Sequence, residues 1–448
     1  MTELHNPEGP RPADRQAQAP HNGVNRPLSV SARLGLLQFH NSGKFRVLQF
    51  ADIQDGPKVS SDTISLIAAS LDAVRPDVVV FTGNQIAGYD TAYSQTFRKR
   101  SWSSSRWSGV RALGRLQSSV QHDEAVERTR ELVRSSISRF VQPLVDRGVP
   151  WAVTYGNHDF QCGLDNAQMD ALYREFPGCL NPESTVARPD RPRTQPGSGL
   201  PRQQIIPCEP GTFALPVMDV DRTRNVLGLV LLDSGDYAHS GGYGAPSGKA
   251  MDFLRQLPEL IHAKSLVFQH IPLRQHYRLL KEVPSTAAHA IEGYRTFSGH
   301  YFVLDESATL PGSYLGEGIS CPDAECGEFD VLKSTHGYFA VACGHDHRNG
   351  FVGMVDGIAL AATPTCGFGS YGPAPSKRAS RLVEFDIRHP HEPRTQLLEF
   401  GELVGKPSSR KAYTYALNNT AASPGEAVNL LRRPNVIQRI WKSLRSGR

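Results

Sequence analysis

The sequence predicts an α/β protein. Six short, apolar, β-branched runs each end in a polar tip, amphipathic helical stretches separate the early ones, and later apolar stretches follow one another with no helix between them. The first run, "FRVLQFAD" (45–52), leads into "SSDTISLIAASLDAV" (60–74), a helix with Ser or Asp as its N-cap. "DVVVFTGN" (77–84) precedes the longer helix "DEAVERTRELVRSSISRFVQPLVDRG" (123–148), which stops where Gly148 is followed by Pro150. "PWAVTYGNHD" (150–159), "NVLGLVLLDS" (225–234), "KSLVFQHIP" (264–272) and "YFAVACGHDH" (338–347) supply four more strands. "GFVGMVDGIALAATP" (350–364) and "SRLVEFDIR" (380–388) then predict antiparallel hairpins that continue the sheet system.

The 448 residues, 39% of them hydrophobic, suffice for one large α/β domain or two ordinary ones. No internal repeat is visible. Residues 1–28, with acids, prolines and amides but no apolar core, read as a disordered leader and not a signal peptide. The domain is expected over 29–402, with insertions near 97–122 and 183–204. Residues 403–448 read as a basic linker and tail, suited to docking or to a surface position more than to a membrane. The net charge of +5 sits largely in these peripheral stretches, which reads as solvated loops and not as a nucleic-acid interface. Trp102 and Trp107 in the first insertion suit a lid, a dimer contact or a surface loop equally. Seven cysteines spread over the chain form no dense disulfide framework and point to a reducing, cytoplasmic setting. Cys321 and Cys326 in "CPDAEC" are close enough for a local bridge or a metal clip. No stretch approaches the roughly 18 to 20 apolar residues of a transmembrane helix.

The strand tips carry the metal-binding side chains. Asp52 ends the first run, Asn84 the second, Asn157 with His158 and Asp159 the third, His270 the fifth, and His345 with His347 the sixth. Ligands gather at the carboxyl ends of strands in open α/β sheets, so these residues are expected to converge. Singly, each has an ordinary explanation as a turn residue or a polar cap; their number and order make the case.

The blocks "ADIQDG", "TGNQI", "YGNHDF", "FQHIPL" and "CGHDH" resemble, in order, those of the calcineurin-like metallophosphoesterase superfamily over roughly residues 45–388. "LLDSGDY" (231–237), "GHDHRNGFVG" (344–353) and "GFGSYG" (367–372) are similar to the branch of fungal and plant phosphatases near the purple acid phosphatases. The resemblance implies a four-layer α/β/β/α sandwich with a two-metal site at one edge. It assigns Asp52, the Gln54 position and His347 to one ion, and Asn157, His270 and His345 to the other, with position 84 bridging both. His158 becomes the proton donor or transition-state stabiliser and Asp159 its orienting partner. The mixed N and O ligands imply one or two divalent transition ions, Mn, Fe or Zn, and a phosphorylated substrate.

Two positions depart from that pattern: Gln54 stands where the family has His, and Asn84 where it has the bridging Asp. Both offer neutral carbonyl oxygens, poor bridges between two cations, so the first ion is expected to be the weaker one. Asp55, or failing that Asp90, is the candidate for supplying the missing charge. Three functional classes follow: a metal-dependent phosphoesterase with an altered first metal site, a catalytically inactive binding or regulatory module, or a one-metal phosphodiesterase.

Overall fold

The computed structural model describes residues 26–101, 117–183, 193–194 and 199–408. In chain order the elements are α1 (Val30–Leu34), β1 (Lys44–Phe50), α2 (Ser61–Val74), β2 (Val78–Thr82), α3 (Gln117–Arg147), β3 (Trp151–Thr154), α4 (Asn166–Tyr173), β4 (Arg193–Thr194), β5 (Gln204–Glu209), β6 (Thr212–Met218) and β7 (Asn225–Leu232). They continue with α5 (Gly248–Ile261), β8 (Ser265–Gln269), β9 (Leu280–Val283), β10 (Ile291–Glu292), β11 (Tyr301–Leu304), α6 (Glu328–Ser334), β12 (Tyr338–Cys343), β13 (Phe351–Val355), β14 (Ile358–Ala362), β15 (Ala379–Asp386), β16 (Arg394–Glu399) and α7 (Phe400–Leu403).

Two sheets stack face to face. One has the order β16-β15-β1-β2-β3 and the other β13-β14-β12-β8-β7-β6-β5-β4, while β10-β11-β9 form a small separate sheet. In the first, β1, β2 and β3 are parallel; in the second, β7, β8, β12 and β14 are. The apolar runs are sorted by the pleat, because successive side chains point to opposite faces. Val47, Val78 and Val80 meet Leu227, Leu229, Leu231, Leu266 and Phe268 between the sheets. Their neighbours Leu48, Phe50, Val79 and Phe81 face Leu66, Leu71, Ile137 and Phe140 of α2 and α3. On the far side Val230, Leu232 and Val267 face Phe253, Leu254 and Leu257 of α5. Helix, sheet, sheet and helix layers result, the four-layer sandwich expected from the sequence.

The helices start and stop for local reasons. Ser60 caps α2 by accepting from the Asp62 amide, and α3 ends at Arg147 before Gly148, whose φ is 59°. α3 begins at Gln117, so the last residues of the expected 97–122 insertion are helix. Pro143 lies within it. The hairpin β13–β14 turns on Asp356 and Gly357, both at positive φ (48° and 84°), as a two-residue primed turn requires. β15 forms an antiparallel hairpin with β16, as expected, and crosses back to pair antiparallel with β1 in the first sheet. The end of the expected 183–204 excursion also belongs to the fold, since Gln203 is buried, accepts from the Leu37 amide and donates to Pro216 O at the sheet edge. All seven cysteines are free thiols, Cys321 and Cys326 included. Residues 1–25, Trp102, Trp107 and the tail beyond 408 lie outside the described residues.

Candidate metal centre

Each strand stops before its chemistry begins, so the polar tips are loops at one edge of the stacked sheets. Asp52, Gln54, Asn84 and His345 have φ of 53°, 44°, 54° and 70°, a left-handed backbone that costs an L-residue about 1–2 kcal/mol. Strain of this kind gathers at functional sites. Glycines admit the close packing: a Cβ on Gly83 would lie 2.5 Å from His270 Nδ1, and one on Gly156 would lie 2.3 Å from Asn84 Oδ1.

The side chains the sequence singled out converge. Asp52 Oδ1 lies 3.3 Å from His347 Nε2 and 3.9 Å from His270 Nε2, and Asp52 Oδ2 accepts from the His345 amide at 2.8 Å. His270 Nε2 is 3.1 Å from both Asn157 Oδ1 and His345 Nδ1. Backbone carbonyls fix the tautomers, because they can only accept. His270 donates from Nδ1 to Thr82 O at 2.9 Å, and His347 from Nδ1 to Tyr371 O at 2.6 Å, so both turn Nε2 inward. Tyr371 also stacks on the His347 ring at 4.1 Å, and Tyr237 OH accepts from Asn157 Nδ2 at 2.9 Å, which turns Asn157 Oδ1 towards His270.

The pocket is rich in acceptors. His270 Nε2 and Asn157 Oδ1 face each other, and His345 Nε2 and Gln54 Oε1 are buried with no hydrogen-bond partner. Burial holds the His270 imidazole below its ordinary pKa and His345 well below, so it favours the neutral form of both. Burial alone would raise Asp52, but the charge that His270, His347 and His345 carry when protonated outweighs it and holds the carboxyl at about 2. His347 is the reverse case: burial would lower it, and Asp52 raises it. Converging lone pairs with orphaned acceptors fit a cation, and the N and O donors suit a borderline divalent ion. The donors touch one another as they stand, and among the described residues no three His, Cys, Asp or Glu side chains are spaced to grip one ion without opening.

Three expectations need correction. Asn84 is not placed as a bridging ligand: its Oδ1 is taken by the His158 amide at 2.9 Å, which turns Nδ2 towards Asp52 Oδ1 and Asn157 Oδ1, each at 3.2 Å. It brings two hydrogens where a shared carboxylate oxygen would stand. Asp159 does not orient His158; it accepts from the amides of Asn84, Ile86 and Gly156 and so ties the second and third loops together, and burial raises it to about 7. Neither acid supplies the missing charge. Asp55 turns away to accept from Ser60 N and Thr63 Oγ1 at the start of α2, and Asp90 caps the turn Thr91–Tyr93.

Gln54 donates to Tyr89 OH at 2.9 Å, and the Tyr89 ring meets His158 edge-on at 4.9 Å. Tyr89, Gln161, Tyr237 and Tyr371 received no role from the sequence. Tyr237 and Tyr371 lie in the stretches "LLDSGDY" and "GFGSYG", so the segments were legible while the contacts were not.

No family model matches the sequence. Among curated proteins it is 22% identical over 377 residues to "Probable inactive purple acid phosphatase 29" of Arabidopsis thaliana, covering 81% of this chain and 82% of that protein. It is 23% identical over 351 residues to "Phosphatase DCR2" of Saccharomyces cerevisiae, covering 73% of this chain and 47% of that one. Among solved structures it aligns with a dimetal phosphatase from Danio rerio at 10% identity, over 80% of this chain and 99% of that one, with a TM-score of 0.38. In sequence the chain is similar to purple acid phosphatase-like proteins of plants and to the yeast phosphatase, in line with the resemblance of its blocks to the calcineurin-like metallophosphoesterases. A second Arabidopsis thaliana protein, "Probable inactive purple acid phosphatase 14", is likewise 22% identical, over 385 residues.

Proposed function

We propose that this chain is a metal-dependent phosphoesterase with an asymmetric centre, acting on a phosphorylated substrate in the cytoplasm. One divalent ion is held by His270, Asn157 and His345, and a second, on Asp52, His347 and Gln54, is held weakly for want of a bridging carboxylate. The observation that carries the reading is the convergence of three side chains, His270 Nε2 turning inward 3.1 Å from both Asn157 Oδ1 and His345 Nδ1. When bound, such an ion supplies a hydroxide at neutral pH and charge to stabilise the phosphoryl oxygens. The chain's own residues do the rest. Tyr237 and Thr82 hold Asn157 and His270 in ligating orientation, and His158 handles the proton at the leaving oxygen. The seven free thiols support the compartment.

One observation favours a second reading, a phosphate-binding module without turnover: the Asn84 amide already satisfies Asp52 and Asn157 without any ion. Elemental analysis of the purified protein, together with hydrolysis of p-nitrophenyl phosphate and its bis-ester, separates the readings. The proposal expects about one tightly held ion per chain and measurable hydrolysis; bound metal without turnover on either ester, or no bound metal, overturns it.

A further inference from the structure

Gln161 is fully buried beside the candidate centre, and the phosphoesterase blocks assign it nothing. It lies three residues after His158 in the tight turn Asp159–Cys162, where residues three apart share a face. Its Oε1 is 2.7 Å from His158 Nδ1, and its Nε2 donates to the Lys99 carbonyl at 3.1 Å. The main chain repeats the pairing, with the Arg98 amide donating to Gln161 O at 3.0 Å and the Gln161 amide to His158 O at 3.2 Å.

These contacts have one consistent reading. The Lys99 carbonyl only accepts, so the NH2 of Gln161 faces it and the Gln161 oxygen faces His158. His158 must then carry its hydrogen on Nδ1, which leaves Nε2 on the side of Asn157, whose Nδ2 is 3.4 Å away. Tyr89, edge-on at 4.9 Å, limits rotation of the ring.

We propose that Gln161 is the positioning residue of His158, fixing its tautomer and ring orientation through a relay that ends on the main chain of residues 98–99. An aspartate or glutamate would orient the ring as well, but would add a negative charge beside Nδ1. An amide orients without adding charge, and this site has Gln161 in the place that the sequence had given to Asp159. The first described residues of the basic stretch thereby become part of the site's scaffold. The kinetic arm of the inference rests on the phosphoesterase reading; the tautomer arm does not.

Ring 15N spectra of the full-length protein, with His158 assigned by loss of its signals in His158→Ala, read the tautomer directly without substrate or metal. The expected spectrum has His158 protonated on Nδ1; protonation on Nε2 in the unaltered protein overturns the proposal outright. Gln161→Leu, similar in size, should give a mixture of tautomers. Gln161→Glu should keep Nδ1 protonated. In the metal-loaded protein Gln161→Leu should lower kcat about 10- to 100-fold, with KM and metal content unchanged, and Gln161→Glu should recover part of the loss. An unchanged tautomer in a folded Gln161→Leu protein overturns the positioning role whatever its activity. Absence of turnover in the unaltered protein overturns only the phosphoesterase reading.

Discussion

Asn84 shows how one atom changes a site. Asparagine and aspartate have nearly the same shape, yet the amide of Asn84 faces two acceptors at 3.2 Å, where a carboxylate would face them with a second negative oxygen. Asn84→Asp should therefore act in opposite directions with and without metal. In chelator-treated protein it buries two carboxylates against each other and should lower stability by about 1–3 kcal/mol in urea unfolding. With Mn or Zn supplied, the number of tightly held ions should rise from one towards two. A variant no less stable without metal and no richer in metal when loaded would show that Asn84 does not control the centre. His158→Ala should separate chemistry from ligation, cutting turnover about 100- to 10,000-fold while elemental analysis finds the same metal content. His345→Ala should do the opposite and lose the first ion, because it removes the imidazole whose Nδ1 lies 3.1 Å from His270 Nε2.

At the scale of elements, the loops are held by buried carboxylates, not by the metal ligands alone. α4 is tied to the end of β3 through Asp170, whose Oδ1 accepts from Tyr155 OH at 2.5 Å and from Asn181 Nδ2 at 2.8 Å. Burial raises Asp170 from 3.8 to about 6, against the pull of those two donors. Between these values the folded chain keeps a proton that the unfolded chain has lost. The stability contributed by the neutral group is therefore complete below about pH 4 and is lost as pH rises through about 6. A rise of two units corresponds to about 3 kcal/mol. Asp170→Asn keeps an acceptor for both donors and cannot ionise, so the stability difference between variant and parent should grow in the variant's favour from pH 4 to pH 7. Urea unfolding at the two pH values checks this; a constant difference would mean that Asp170 does not titrate in that range. Asp55 is a similar anchor, for α2, so Asp55→Asn should disturb stability and leave metal content unaltered.

The whole molecule is organised by the core between the sheets, which sets the distance between the two halves of the site. Phe268 is buried in that core two residues before His270, opposite the strands that lead into the loops of Asp52 and Asn84. Phe268→Ala should cost about 3–5 kcal/mol and also weaken metal binding, because the tips of both sheets lose their common support. Met354, exposed on the edge strand β13, is the control: Met354→Ser should change stability by no more than about 0.5 kcal/mol and leave metal binding intact. Unfolding and metal titration of the two variants test the point, and metal affinity unchanged in Phe268→Ala would uncouple core from site.

Much of this was fixed by the sequence alone. Periodicity located the strands and helices because burial on both faces demands continuous apolar runs, and the tips named Asp52, Asn157, His158, His270, His345 and His347 because strand ends are where an α/β sheet exposes side chains. What the sequence left open depended on direction. Asn84 could ligate through oxygen or donate through nitrogen; the amide of His158, 74 positions along, takes the oxygen and decides it. Asp159 stands next to His158, yet adjacent side chains in a tight turn diverge, and Gln161, one turn on, meets the ring instead. Asp55 stands three residues from Asp52, but the unpaired amide at the start of α2 draws it away. Composition and period determine which residues reach the edge of the sheets, because they are properties of the local chain. Which way a polar side chain turns there is settled by donors and acceptors that only folding brings within hydrogen-bond distance.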